Sequence, residues 1–115
     1  MTIYHITPRA GWLAAQQAGE YTAASLESEG FIHTSTREQV ADTANRFYHG
    51  QAGLVLLVID PARLRAELRY DPVLTHGAEQ KFPHIYGPLN LDAVVDVLPF
   101  EPQPDGSFRF PSEDC

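Results

Sequence analysis

A histidine and a nearby hydroxyl group recur together at three places in this sequence. These are Tyr4-His5-Ile6-Thr7, Gly30-Phe31-Ile32-His33-Thr34-Ser35 and Phe82-Pro83-His84-Ile85-Tyr86-Gly87-Pro88-Leu89. Each histidine lies in an apolar run, where an extended segment gives way to a turn or a helix. A buried imidazole must find hydrogen-bond partners, so a chain that needed only a core would not favour histidine there. The three placements predict one polar pocket, built from the ends of several elements and able to hydrogen-bond a small polar ligand.

Within that pocket each residue has two readings. Strand alternation puts His5 and Thr7 on one face, opposite Tyr4 and Ile6. From there His5 either reaches a ligand hydroxyl or carbonyl, or ties down a loop carbonyl inside the core. His33, with Thr34 beside it, ends a strand just before a helix and is the foremost catalytic candidate of the five histidines. Ser35 and Thr36 lie at the start of that helix, whose free N–H groups suit an anion such as phosphate; capping also accounts for Ser35. The third cassette is stiffened by Pro83 and Pro88. It either presents His84 or Tyr86 to the pocket or plugs the core with Phe82, Ile85 and Leu89. The acidic candidates for catalysis are Asp71 and Glu79. Arg69 shares a strand face with Asp71 and would hold it ionised.

Other chemistries fit poorly. Zinc sites favour closely spaced histidines or cysteines, whereas these histidines are tens of residues apart and no cysteine joins them, so no metal is expected. A Gly-x-Ser-x-Gly elbow and a glycine-rich phosphate loop are both missing from the sequence.

The elements that must carry these residues are legible in outline. Ile3–Ile6 reads as a strand, and Thr7-Pro8 opens a helix that Gly19 ends. Tyr21–Ser25 is less regular. Phe31-Ile32-His33 is a short strand. Ser35-Thr36-Arg37-Glu38 has a capping-box pattern, and Val40, Ala44, Phe47 and Tyr48 recur at helical spacing. Leu54–Ile59 is the clearest buried strand. Asp60-Pro61 reads as an N-capped turn. Glu67–Asp71 reads as a strand stopped by Pro72, and Thr75–Lys81 as a polar loop. Two prolines and a glycine bar Phe82–Leu89 from a regular helix or central strand, with Gly87 permitting a turn. Leu91–Leu98 is a last strand. The expectation is an α+β fold with two N-terminal helices packed on a mixed or antiparallel sheet, a single domain over residues 1–98. Residues 99–115 form a proline-rich extension, with a small hairpin around Asp105-Gly106.

The 115 residues are enough for one self-sufficient core. Apolar and charged fractions of 43% and 20% are those of a soluble globular protein. A net charge of −7 argues against nucleic acid and anionic membrane as partners, but not against one small nucleotide in a locally positive pocket. The lone cysteine, Cys115, allows no disulfide within the chain and reads as incidental. With no secretory pattern at Met1–His5 and no apolar run longer than Leu54–Ile59, a cytoplasmic protein is expected.

In this order the cassettes, together with Trp12, Ser25-Leu26, Glu29 and Asn45-Arg46-Phe47-Tyr48, resemble the bacterial and plant family known as domain of unknown function 952. The resemblance runs over nearly the whole chain. It implies a split-sheet fold similar to the ADP-ribosyltransferases, and hence a cleft for NAD or a related nucleotide. In such enzymes a His-x-Thr strand contacts a ribose, a position that His5 and Thr7 match. His33-Thr34-Ser35 matches the motif that shapes the nicotinamide side. A catalytic glutamate stabilises the cation left by nicotinamide. This chain has no Glu-x-Glu or Gln-x-Glu pair, so Asp71 or Glu79 would take that part, with Arg9, Arg37 or Arg69 pairing the phosphates. A non-catalytic module that binds a metabolite or protein on the same scaffold is the alternative. The oligomeric state is left open.

Overall fold

The continuous aliphatic run Leu54–Ile59 forms β4, and it is buried on both faces because it lies at the centre of a sheet. β1 (Ile3–Pro8) and β8 (Val94–Phe100) flank it in the order β1-β4-β8. Ile3 pairs with Ile59 and His5 with Leu57, so alternation sorts the two faces. On one face Ile3, Val55, Leu57 and Ile59 meet Ile32 and Ile85 of a second sheet. On the other, Tyr4, Ile6, Leu54 and Leu56 are covered by Val40 and Ala44 of a helix and by Phe100 and Phe108.

The second sheet has the order β3-β6-β5, from Ile32–His33, Ala78–Tyr86 and Glu67–Thr75. A small pair joins β2 (Glu20–Tyr21) to β7 (Leu89–Asn90). All strand pairing among the described residues is antiparallel. The helices are α1 (Arg9–Ala18), α2 (Ala24–Glu29) and α3 (Arg37–Phe47). This computed structural model describes residues 2–111; Met1 and residues 112–115, Cys115 among them, lie outside the described residues. No helix among the described residues is long and apolar enough to cross a membrane.

The architecture is therefore a single-domain α+β fold with three helices rather than two, and of the two sheet types expected it has the antiparallel one. The added helix, α2, spans six residues and ends at Gly30 with φ +90°; so short a helix has no period to read. Pro72 does not stop β5, because β5 is an edge strand and a proline there can turn its missing N–H away from the ladder. Thr75–Lys81 is no loop. It holds the two-residue turn His76-Gly77, with φ +51° and +79°, and the hairpin strands on either side.

Phe82–Tyr86 runs through the middle of the second sheet despite Pro83. The Pro83 carbonyl accepts from the Thr34 N–H at 3.2 Å, so its nitrogen faces the same side. There β3 has already ended, and the absent N–H costs little. Gly87 serves a close approach rather than a positive-φ turn: a Cβ on it would lie 2.8 Å from Ala66 Cβ.

The helix-start pattern is shifted by one residue. Thr36, not Ser35, is the N-cap of α3, and its N–H donates to Gln39 Oε1 at 3.0 Å. The last strand is shifted as well: Leu91–Ala93 is a 3-10 turn, and β8 continues through Pro99 to Phe100. Asp105-Gly106 makes a turn, with Gly106 N–H donating to the Gln103 carbonyl at 2.8 Å, but no strands flank it. Beyond it Phe108 stacks on Phe100 with 4.8 Å between centroids, and Phe110 meets Tyr4 edge-on. Asn45 of α3 fixes this segment by bonding both backbone groups of Phe108.

Candidate functional site

β1 is an edge strand, and the second sheet lies across it without pairing along its whole length. The two sheets are stitched at one bridge, where Tyr4 and Ser35 exchange backbone hydrogen bonds of 2.8 Å each. Beside that bridge opens a cavity of about 690 Å3, bounded by β1, α2, α3 and the β5-β6 hairpin. That volume is typical of small-molecule sites.

His5 is sealed into the wall. Its Nδ1 lies 2.5 Å from the His33 carbonyl and its Nε2 2.8 Å from the Tyr21 hydroxyl, which in turn lies 3.0 Å from Thr7 Oγ1. A carbonyl only accepts, so Nδ1 carries the proton. Nε2 must then accept from Tyr21, and Thr7 donates to the Tyr21 oxygen. Burial pushes the His5 imidazole down to about 4 and raises the Tyr21 phenol. Both ring nitrogens are spent within the protein, as in the core reading of this residue.

His84 is placed differently. Nδ1 lies 2.8 Å from Asp71 Oδ2, and the ring is stacked on Phe31 at 4.1 Å and 15°. The same carboxylate oxygen accepts from the Tyr86 hydroxyl. Hydrogen bonds from Tyr86 and His84 hold the Asp71 carboxyl below the usual range, and the bond to Asp71 raises the Tyr86 phenol. An ionised carboxylate accepts only, so His84 carries its proton on Nδ1. Nε2 has no hydrogen-bond partner among the described residues, while His84 lines the cavity. This is an imidazole held by a carboxylate, with an open nitrogen for proton exchange.

His33 stands edge-on to His84 at 5.3 Å. Its side chain is half exposed, and Nε2 pairs with Glu29 Oε2 at 3.2 Å. Both residues line the cavity.

The remaining candidates separate into two groups. Thr7, Thr34 and Ser35 join His5, His33 and His84 on the cavity wall. Thr34 is tied to the Pro83 carbonyl by its hydroxyl at 2.5 Å, and Ser35 Oγ reaches Thr43 Oγ1 at 3.5 Å. Thr36, Asp71, Glu79, Arg69 and Tyr86 do not border the cavity. Asp71 and Tyr86 lie behind His84, Arg69 pairs with Glu67 at 2.8 Å above the Tyr86 ring, and Glu79 is exposed near the hairpin turn. Arg9 and Arg37 are also off the wall; Arg37 lies over Phe110.

Sequence reasoning missed Tyr21, Glu29, Thr43 and Arg46 as wall residues. Thr43, Arg46 and Phe47 follow helical spacing on α3 and were within reach of a helical-face reading. Nothing local marks Tyr21. No group of three metal-ligating side chains comes together among the described residues.

Fold and site together define a small α+β protein with a ligand-sized cavity between two antiparallel sheets. The chain belongs to the family described as protein of unknown function (DUF952), which matches residues 6–97. It is similar to protein CC0527 from Caulobacter crescentus at 34% identity. The crystal structure of that protein superposes with a TM-score of 0.83, covering 95% of this chain and 94% of the other. Its solution NMR structure gives 0.72, with coverage of 94% and 91%. No curated protein matches the chain.

Proposed function

We propose that the cavity is a cleft for NAD or a related nucleotide, on a scaffold of the ADP-ribosyltransferase kind. The observation that carries this reading is the free edge of β1 at Ile6. Tyr4 turns its N–H and C=O to Ser35, away from β4. Ladder alternation turns those of Ile6 the same way. Ile6 borders the cavity, and no strand among the described residues covers its edge there. A neighbouring N–H and C=O is the complement of a primary carboxamide, the group that nicotinamide carries. Tyr21 and Phe82 supply flat apolar walls, and His84 Nε2 a proton-exchanging group.

Amide-resolved NMR titration with NAD and with ADP-ribose tests the reading. Saturable shifts at Ile6, His33–Ser35 and His84 are expected. No shift at millimolar ligand overturns it.

A second reading, binding without transfer, is favoured by the placement of the acids. The cation formed as nicotinamide leaves needs a carboxylate facing it. Asp71 and Glu79 do not border the cavity; Glu29 does, and it is engaged by His33. Nicotinamide release separates the two readings. Release that disappears in Glu29→Gln supports transfer, and saturable binding without release supports the module.

A further inference from the structure

Thr43, Arg46 and Phe47 lie along one side of α3, and all three border the cavity. Across from Thr43 stands Ser35, with 3.5 Å between the two hydroxyl oxygens. That is the outer limit of a hydrogen bond, so both hydroxyls can turn to a ligand at little cost. The Arg46 guanidinium sits 5.0 Å from the centre of the Phe47 ring and has no carboxylate partner among the described residues. Three other arginines are matched by acids: Arg63 with Asp60, Arg65 with Asp92 and Arg69 with Glu67. The chain has 15 acids against 8 bases, so an unmatched cation is not forced by composition.

The acid on the opposite wall, Glu29, is already engaged by His33. Arg46 therefore meets the cavity as its one arginine or lysine among the described residues. Two hydroxyls and a guanidinium in a row are the donors that a phosphate ester needs. Arginine gives it charge-assisted, two-pronged hydrogen bonds, and the hydroxyls fill the remaining lone pairs.

We propose that Ser35, Thr43 and Arg46 form an anion subsite that takes a phosphate ester of the bound ligand, so that the cavity selects phosphorylated over unphosphorylated nucleosides. The inference rests on the nucleotide reading above and adds to it a source of selectivity carried largely by α3.

The test is a titration of wild type, Arg46→Ala and Arg46→Lys with adenosine, AMP and ADP-ribose, followed by amide NMR. Arg46 is exposed at the end of its helix, so both variants are expected to fold, and an unchanged spectrum away from α3 confirms it. In wild type, AMP and ADP-ribose should bind about tenfold to a hundredfold more tightly than adenosine. Arg46→Ala should abolish that preference without weakening adenosine, and Arg46→Lys should restore part of it. Equal affinity for adenosine and AMP in wild type overturns the subsite and leaves the nucleotide reading standing. Binding of none of the three overturns the nucleotide reading, and inorganic phosphate then decides the subsite. Phosphate-induced shifts at Thr43 and Arg46 that vanish in Arg46→Ala uphold it, and their absence removes it.

Discussion

His84 and Asp71 meet diagonally across adjacent strands, where His84 is paired with Arg69 and Asp71 with Phe82; thirteen positions apart in the chain, they bring Nδ1 and Oδ2 to 2.8 Å. The pairing fixes which imidazole nitrogen faces the cavity. In 15N spectra recorded at alkaline pH, the wild-type ring should show the Nδ1–H form, with Nε2 unprotonated. Asp71→Ala should leave a mixture of the two tautomers, and Tyr86→Phe should change the ratio less. An unaltered single tautomer in Asp71→Ala would show that the carboxylate does not hold the ring.

His5 makes folding sensitive to mild acid. Its folded value is pushed down to about 4, while an unfolded histidine titrates near 6.5. Between these values the unfolded chain takes up a proton that the folded chain refuses, so stability falls as pH is lowered. It is full above about 6.5, and the loss is complete below about 4, amounting to about 3 kcal/mol. Urea denaturation at pH 7.5 and pH 4.5 measures it. His5→Gln, which can still donate to the His33 carbonyl and accept from Tyr21, should flatten the slope by one proton. An unchanged slope would assign it to other groups.

Gly11 guards the same network. A Cβ there would lie 2.8 Å from Thr7 Oγ1, a short, buried side chain with little room to move. Gly11→Ala gains about 1 kcal/mol of helix propensity but forces a contact that costs about 1–3 kcal/mol. Net destabilisation is expected, with displaced Tyr21 and His5 resonances. A stabilised variant with those resonances in place would mean that Thr7 yields freely.

Phe108 is 3% exposed and stacks on Phe100. Phe108→Ala should cost about 3–5 kcal/mol, and Asn45→Ala about 1–3 kcal/mol through two lost backbone bonds. Chemical denaturation checks both. Losses below about 1 kcal/mol would place this segment outside the cooperative core.

Long, strongly patterned stretches declared themselves in the sequence. Leu54–Ile59 and the Val40–Ala44 face of α3 need no tertiary information. Pro83 does, because a proline is tolerated in a central strand when its neighbour has already ended, and the two-residue length of β3 is not written locally. His76 at φ +51° hid the hairpin turn, since asparagine or glycine is the usual signal there. The histidine cassettes pointed to neighbouring residues: His5, His33 and His84 all border the cavity. Their division of labour was not legible. What separates His5 from His84 is a partner for the second ring nitrogen, supplied by Tyr21 sixteen residues away.

The Tyr4–Ser35 bridge has a geometric consequence. It holds β1 and the chain after β3 at strand-pair spacing, about 5 Å, at one point, and the two diverge from there past Ile6 and Thr7. The cavity is thus a wedge with a fixed vertex. Thickness can be accommodated by splaying its wide end, whereas a group that reaches the vertex must be as thin as the gap between two backbones.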